Sequence, residues 1–222
     1  MPTRQRCWCL YTISSADEAG PFDRIPHDIM EKAKLQNLGY ESPAEKLGER
    51  FHIKPTLLAQ LNPGKDLTKS GEQILVSNVQ REYAVPADKI VVSKNSRTVS
   101  AFAADGALLA QYPATMGSEH DPLPTGDWKI TEIDRNPWFH YNPALFWDAK
   151  PRDERAKVPR GPNNPVGIVW IGLSKEHYGI HGSPEPSRIG HTESHGCIRL
   201  TNWDADELSK IARVGTPAIL QE

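Results

Sequence analysis

The sequence predicts a mainly β domain preceded by a small α+β module, on three observations. Nineteen prolines and sixteen glycines in 222 residues call for many turns and short elements rather than long helices. Beyond Gln80 the apolar residues fall into short runs separated by turn residues, the pattern of strands. Between Tyr40 and Val79 the pattern is instead two short helices followed by one strand. A chain of this length can bury a sizeable core in one domain and still carry a module.

Residues 1–23 read as a leader and linker. Arg4 and Arg6 precede a short, polar-spotted apolar stretch, which fits either the remnant of a secretion signal or a disordered leader. Residues 24–80 form the next segment. Asp28 suits the cap of a helix whose apolar positions Ile29, Met30, Ala33, Leu35 and Leu38 recur at helical spacing, and Gly39 would end it. Ser42 with Glu45 three residues later is a capping-box signature, and Pro43 suits a first helical turn. Pro55 to Leu61 reads as a second helix, closed by Asn62-Pro63-Gly64, and Gly71 to Val76 as a turn into a strand.

Residues 81–222 carry the catalytic domain. Lys89–Ser93, Thr98–Phe102 and Leu108–Tyr112 read as strands of two hairpins, the second turned by Asp105-Gly106. Residues 134–166 hold Trp138, Phe139, Tyr141, Phe146 and Trp147 in a long loop. Loops of this size are uncommon unless functional, so this one is either a lid over a site or a set of aromatics plugging a barrel end. Gly167–Leu173 is apolar enough for a strand buried on both faces. Tyr178–Gly182 should deliver His181, a short helix should span Asp204–Ala212, and Thr216–Leu220 should be a last strand.

Composition removes several function classes. Net charge is −2 with no basic block, which argues against a nucleic-acid partner. No run approaches the ~20 apolar residues of a membrane span. Cys7 and Cys9 are too close for a usual disulfide framework, and Cys197 is left unpaired.

The chemistry lies in Ile180-His181-Gly182-Ser183 and Ser194-His195-Gly196-Cys197-Ile198-Arg199-Leu200. A thiolate is the reactive form of cysteine, and a nearby imidazole can take its proton. Glycines beside candidate base and nucleophile let backbone and substrate approach. The reading is a cysteine acyl-transfer enzyme. His195, two residues from Cys197, would share its face in an extended segment. Backbone N–H groups of His195, Gly196 and Cys197 can form an oxyanion hole, and Ser194 can hold the turn by hydrogen bonding. Arg199 either binds a substrate carboxylate or pairs with Asp204 or Asp206. Arg188 and His191 read as solvent-facing loop residues. His181, His191, His195 and Cys197 are zinc-compatible types, but His-x-Cys is poorly spaced for a metal, so neither metal nor cofactor is expected.

These two segments, sixteen positions apart from His181 to Cys197, resemble the L,D-transpeptidase (YkuD) catalytic domain. The resemblance extends from about Tyr83 to the C-terminus and implies a β-barrel or sandwich-like sheet. By resemblance His181 is the base, and the Gly182 carbonyl orients its imidazole. Thr115-Met116-Gly117 fits the family's glycine close to the site, and Gly117 and Tyr178 fall on the substrate side. The residue 40–79 pattern resembles a LysM-like glycan-binding module, with Ser42 to Leu47 where the usual Gly-Asp-Thr-Leu would stand; a structural spacer is the competing reading.

The resemblance implies a peptidoglycan transpeptidase of the periplasm or cell envelope, a monomer acting on stem peptides and, through the module, glycan strands. Cys197 would form a thioester with a donor stem, and an acceptor amine would resolve it to a 3→3 cross-link. Carbapenems would acylate the same thiol. Water or a lipoprotein lysine as acceptor would instead make an L,D-carboxypeptidase or an anchoring enzyme. A peptidoglycan-binding protein with an inactive site is the alternative from another class.

Overall fold

A five-residue strand near the N-terminus, β1 (Trp8–Thr12), finds its partner more than sixty residues on, pairing antiparallel with β2 (Gln73–Ser77). The computed structural model describes residues 7–79 and 83–222, and the chain divides into two units: residues 1–25 with 39–82, and residues 26–38 with 83–222. In the first unit, β1 leads into the one-turn helix α1 (Ser15–Glu18). Helix α2 (Ile29–Lys32) belongs to the second unit, and the first resumes with α3 (Pro43–Arg50) and α4 (Pro55–Leu61).

Ser42 caps α3 by accepting from Glu45 N–H at 3.1 Å, while the Glu45 carboxylate reaches back to Glu41 N–H rather than to the cap residue. Ile13, Leu47, Ile53, Leu58, Ile74 and Val76 form the core of this unit. Asn62, buried at the end of α4, donates to the Leu58 and Leu75 carbonyls and accepts from Leu75 N–H. One side chain thereby ties helix to strand.

Two sequence expectations are corrected here. Residues 8–18 are not a leader: they form a strand and a helix, because the side chain of Ile13 is needed in the core and the strand bonds β2. Residues 1–6, and the expected boundary at 80/81, lie outside the described residues. The helix expected up to Leu38 stops at Lys32, and the segment 26–38 packs with the catalytic unit instead of the module. Within that unit Leu38 exchanges backbone hydrogen bonds with the 160–163 segment, donating to Arg160 carbonyl at 2.8 Å and accepting from Asn163 N–H at 3.0 Å. Non-local partners override the local helical period.

The second unit is a nine-stranded mixed sheet. In chain order its strands are β3 (Lys89–Ser93), β4 (Thr98–Phe102), β5 (Leu108–Pro113), β6 (Thr115–Met116), β7 (Gly126–Arg135), β10 (Val169–Leu173), β11 (Gly179–His181), β12 (Ile198–Arg199) and β13 (Pro217–Gln221). A separate small ladder of β8 (Phe139–Tyr141) and β9 (Ala156–Val158) lies within the long 134–166 segment, which is therefore not structureless. The sheet runs β5-β4-β3-β13-β7-β10-β11-β12-β6. Its two edges, β5 and β6, are consecutive in the chain and separated only by Ala114. The sheet is nearly closed and barrel-like, as the sequence predicts, and closure protects edges that would otherwise be left unpaired.

The β3–β4 and β4–β5 hairpins form where their turn residues place them. Parallel pairs join β13 to β3 and β11 to β12. Helix α5 (Asn202–Ile211), capped by Thr201 Oγ1 accepting from Asp204 N–H, packs on β10 and β11. Ile90, Val92, Ile130, Ile171, Ile180, Ile198 and Leu200 are all 1% exposed or less, so the core fills one side of this sheet.

Candidate active site

The parallel pairing of β11 with β12 decides what meets what. Ile180 lies opposite Ile198 and His181 opposite Arg199, which sets Cys197, just before β12, level with Gly179. Side chains alternate across a sheet. Ile180, Ile198 and Leu200 therefore enter the core, while His181, Cys197 and Arg199 share the opposite face.

His181 is buried, and its Nδ1 donates to the Gly182 carbonyl at 2.7 Å. That bond assigns the proton to Nδ1 and leaves the lone pair on Nε2, the atom able to take a thiol proton. Trp170, paired with His181 across β10 and β11, stacks on the ring with centroids 5.6 Å apart and planes 22° apart. Burial pushes the imidazole pKa down to about 3, and the Arg199 charge adds to that; the Gly182 bond opposes it. Burial raises the Cys197 thiol above its ordinary value, partly offset by the Gly179 backbone and Arg199. Both shifts favour the neutral forms of thiol and imidazole at rest, and the thiol donates to the His177 carbonyl at 3.6 Å.

Ser194 fastens the loop that carries the thiol. Its Oγ donates to the Cys197 carbonyl at 2.6 Å and accepts from Gly117 N–H at 2.7 Å, and its own N–H donates to the Gly117 carbonyl at 3.1 Å. Gly117 and Ser194 are thereby clamped together beside Cys197. Gly196 has φ +89, and a Cβ there would fall 2.6 Å from the Tyr178 ring, so glycine is required both for the turn and for the contact. Gly182 is likewise closed in by Asn202, whose Oδ1 also accepts from Ile168 N–H.

Arg199 is half-buried, and its guanidinium makes no ion pair or hydrogen bond to the described residues. Of the acidic partners weighed from sequence, Asp206 pairs with Arg135 and Lys210 instead. A desolvated cation without a carboxylate is suited to receiving one. Asp121 leaves one buried carboxylate oxygen unpartnered, and its charge helps raise the pKa of both Cys197 and Tyr178. Beside the clamp, Arg97, Thr115, Gly117, Ser118, Pro122 and Glu193 help line a cavity of ≈ 480 Å³.

His195 does not face His181's role. Its Nε2 donates to Asp148 at 2.9 Å, and Phe146 and Trp147 pack on its ring with centroids 5.1 and 5.5 Å away. Three successive residues of the long aromatic loop therefore contact the histidine two positions before the thiol. Arg188 pairs with Glu185, and His191 is exposed, both in the loop between the two halves of the motif.

Sequence reasoning missed Trp170, Asn202, Asp121 and Asp148. Trp170 had one available signal, a large aromatic in the apolar run just before the His181 strand. The others reach the site through strand register or loop path.

The L,D-transpeptidase catalytic domain family model matches residues 87–220. A protein of Bacillus licheniformis carrying the name L,D-transpeptidase YkuD is 32% identical over 174 residues, covering 78% of this chain and 89% of that protein. Its Bacillus subtilis namesake is 30% identical, covering 75% of this chain and 85% of its own length. Among solved structures, L,D-transpeptidase 3 from Mycobacterium tuberculosis with a faropenem-derived adduct is similar in fold, with a TM-score of 0.50 at 18% identity over 69% of this chain and 75% of that one. With the motif, the nearly closed sheet and these relatives in agreement, the chain belongs to the YkuD family of L,D-transpeptidase catalytic domains.

Proposed function

We propose that this protein is a peptidoglycan L,D-transpeptidase of the periplasm or cell envelope that works through a Cys197 thioester. The observation that carries the reading is the shared face of Cys197, His181 and Arg199, with His181 Nδ1 committed to the Gly182 carbonyl so that Nε2 is the basic atom. The donor stem lies extended through the cavity beside Gly117 and Ser118, its carboxylate drawn to Arg199. Cys197 Sγ attacks the amide carbonyl after the third stem residue as its proton passes to His181 Nε2. Backbone N–H groups of the Gly196–Cys197 turn stabilise the oxyanion. The tetrahedral intermediate collapses, the terminal D-alanine leaves as an amine with the proton from His181, and the thioester remains. An acceptor amine then gives a proton back to His181, attacks the thioester and expels the sulfur, which is reprotonated, leaving a 3→3 cross-link.

In the first unit, the helix pair α3–α4 set between the paired strands β1 and β2, after the one-turn α1, and the six-residue core support reading it as a LysM-like glycan-binding module that holds the enzyme to its polymer. No helix among the described residues is long and apolar enough to cross a membrane.

Intact-mass spectrometry with a carbapenem tests the chemistry. Wild type should gain one adduct and Cys197→Ala none. A folded wild-type protein that gains no adduct, or an adduct that persists in the variant, contradicts the assignment of Cys197.

A further inference from the structure

We infer that residues 26–38 act as a clasp on the loop that covers the site, with Asp28 as a positioning residue for the reaction. The inference rests on the proposed role of Cys197 only for its kinetic part. The chain leaves the first unit after Ile25 and returns to it at Gly39, yet the thirteen residues between pack with the catalytic unit.

Their contacts concentrate on one target. Asp28 Oδ2 accepts from Lys150 at 2.6 Å and from Arg152 at 2.9 Å, immediately after the Phe146-Trp147-Asp148 run that covers His195. Lys32 Nζ donates to the Asn163 carbonyl at 3.1 Å. Leu38, fully buried, exchanges backbone hydrogen bonds with Arg160 and Asn163. Gly161 approaches so closely, at φ +135, that a Cβ there would collide with the Leu38 carbonyl. The loop from 146 to 163 is thus gripped near both ends by a segment distant in sequence.

Asp28 divides its work between its two oxygens. Oδ1 caps α2, accepting from Met30 and Glu31 N–H, while Oδ2 takes both cations. Its side chain is 19% exposed, whereas those of Lys150 and Arg152 are 54% and 72% exposed. The carboxylate is therefore the fixed point, and the flexible cations fold onto it. Within the loop, Asp153 accepts from Tyr141 Oη and from Lys150 N–H, so an anchor at Lys150 is passed to the β8–β9 ladder. Losing the anchor frees the run that holds Trp147 and Asp148 over His195. Substrate binding should suffer more than thiol chemistry.

The two functions of Asp28 make the test clean. Asp28→Asn keeps a cap oxygen and removes the charge; Lys150→Met/Arg152→Met removes the partners. Hydrogen exchange over residues 144–153 should quicken about fivefold in either variant of the full-length chain. KM for a tetrapeptide-stem donor should rise by a similar factor, with kcat held within about twofold and alkylation of Cys197 by iodoacetamide unchanged. Combining all three substitutions should add little further. Unchanged exchange and KM, or effects that simply add, would overturn the clasp. Faster exchange in protein whose wild type forms no carbapenem adduct would sustain the clasp and overturn only the role of Cys197.

Discussion

Two acids, Asp17 and Asp121, show how differently the two units use their polar groups. Asp17, in the first unit, accepts from Tyr11 Oη, Ser14 N–H and Oγ, and Arg50, and every one of those partners lies in the same small unit. Burial opposes its ionisation, but those hydrogen bonds outweigh it and bring the pKa down to about 2. Asp121, half-buried in the second unit, keeps one carboxylate oxygen buried with no partner and acts on Cys197, and among the described residues the guanidinium of Arg199 and the Nδ1 of His195 are likewise unpartnered. Among the described residues, the buried side-chain atoms lacking a partner all belong to the second unit. The first unit satisfies its buried polar groups internally. The second leaves several open around Cys197, where a peptide with its own donors, acceptors and carboxylate can complete them.

The sharpest way to break this contrast is to remove one charge from each side. Asp17→Ala removes the acceptor shared by Tyr11, Ser14 and the half-exposed Arg50 and should destabilise the first unit by about 1–3 kcal/mol, seen as lost exchange protection in β1 and β2. Carbapenem acylation of Cys197 should not change. Arg199→Met should do the opposite: stability unchanged or raised, and kcat/KM for a stem donor lowered about 10–100-fold, the worth of a charge-assisted hydrogen bond. If Arg199→Met instead unfolds the catalytic unit with donor kinetics intact, Arg199 is structural and the contrast fails.

Acid separates the units more gently. The folded His181 pKa of about 3 lies below its ordinary 6.5, so between those values the unfolded chain binds a proton that the folded chain does not. Stability of the second unit must then fall as pH drops through that window, by up to about 1.4 kcal/mol per pH unit from this group. Asp17 acts later: its contribution is present above 3.8 and is lost as pH falls toward about 2. His181→Gln should flatten the second unit's loss between neutral pH and pH of about 4 while leaving the first unit's acid response alone. An unchanged slope in that variant would show that His181 is not held neutral.

Much of the site was legible because chemistry constrains residue type at fixed spacing. His181, Gly182, Ser194, Gly196, Cys197 and Arg199 stand in one sixteen-position motif and its flank, and the structure gathers them around β11 and β12. The hairpins were legible for a similar reason, since Asp105-Gly106 carries its own turn geometry, with Gly106 at φ +85. What escaped depends on distant partners. Trp8–Thr12 is too short to declare itself a strand without β2, and α2 ends early because Leu38 bonds residues 160 and 163. Asp148 reaches His195 only through the path of a loop whose anchor, Asp28, lies over a hundred residues upstream.

The most direct test is an ultraviolet pH titration of the Cys197 thiolate in the free enzyme, taken as the difference between wild type and Cys197→Ala so that Cys7 and Cys9 cancel. A neutral thiol–imidazole pair predicts no thiolate signal from Cys197 at neutral pH and a transition above the ordinary thiol pKa of about 8.5. A thiolate signal persisting to pH of about 6 would reveal a preformed thiolate–imidazolium pair and contradict the account.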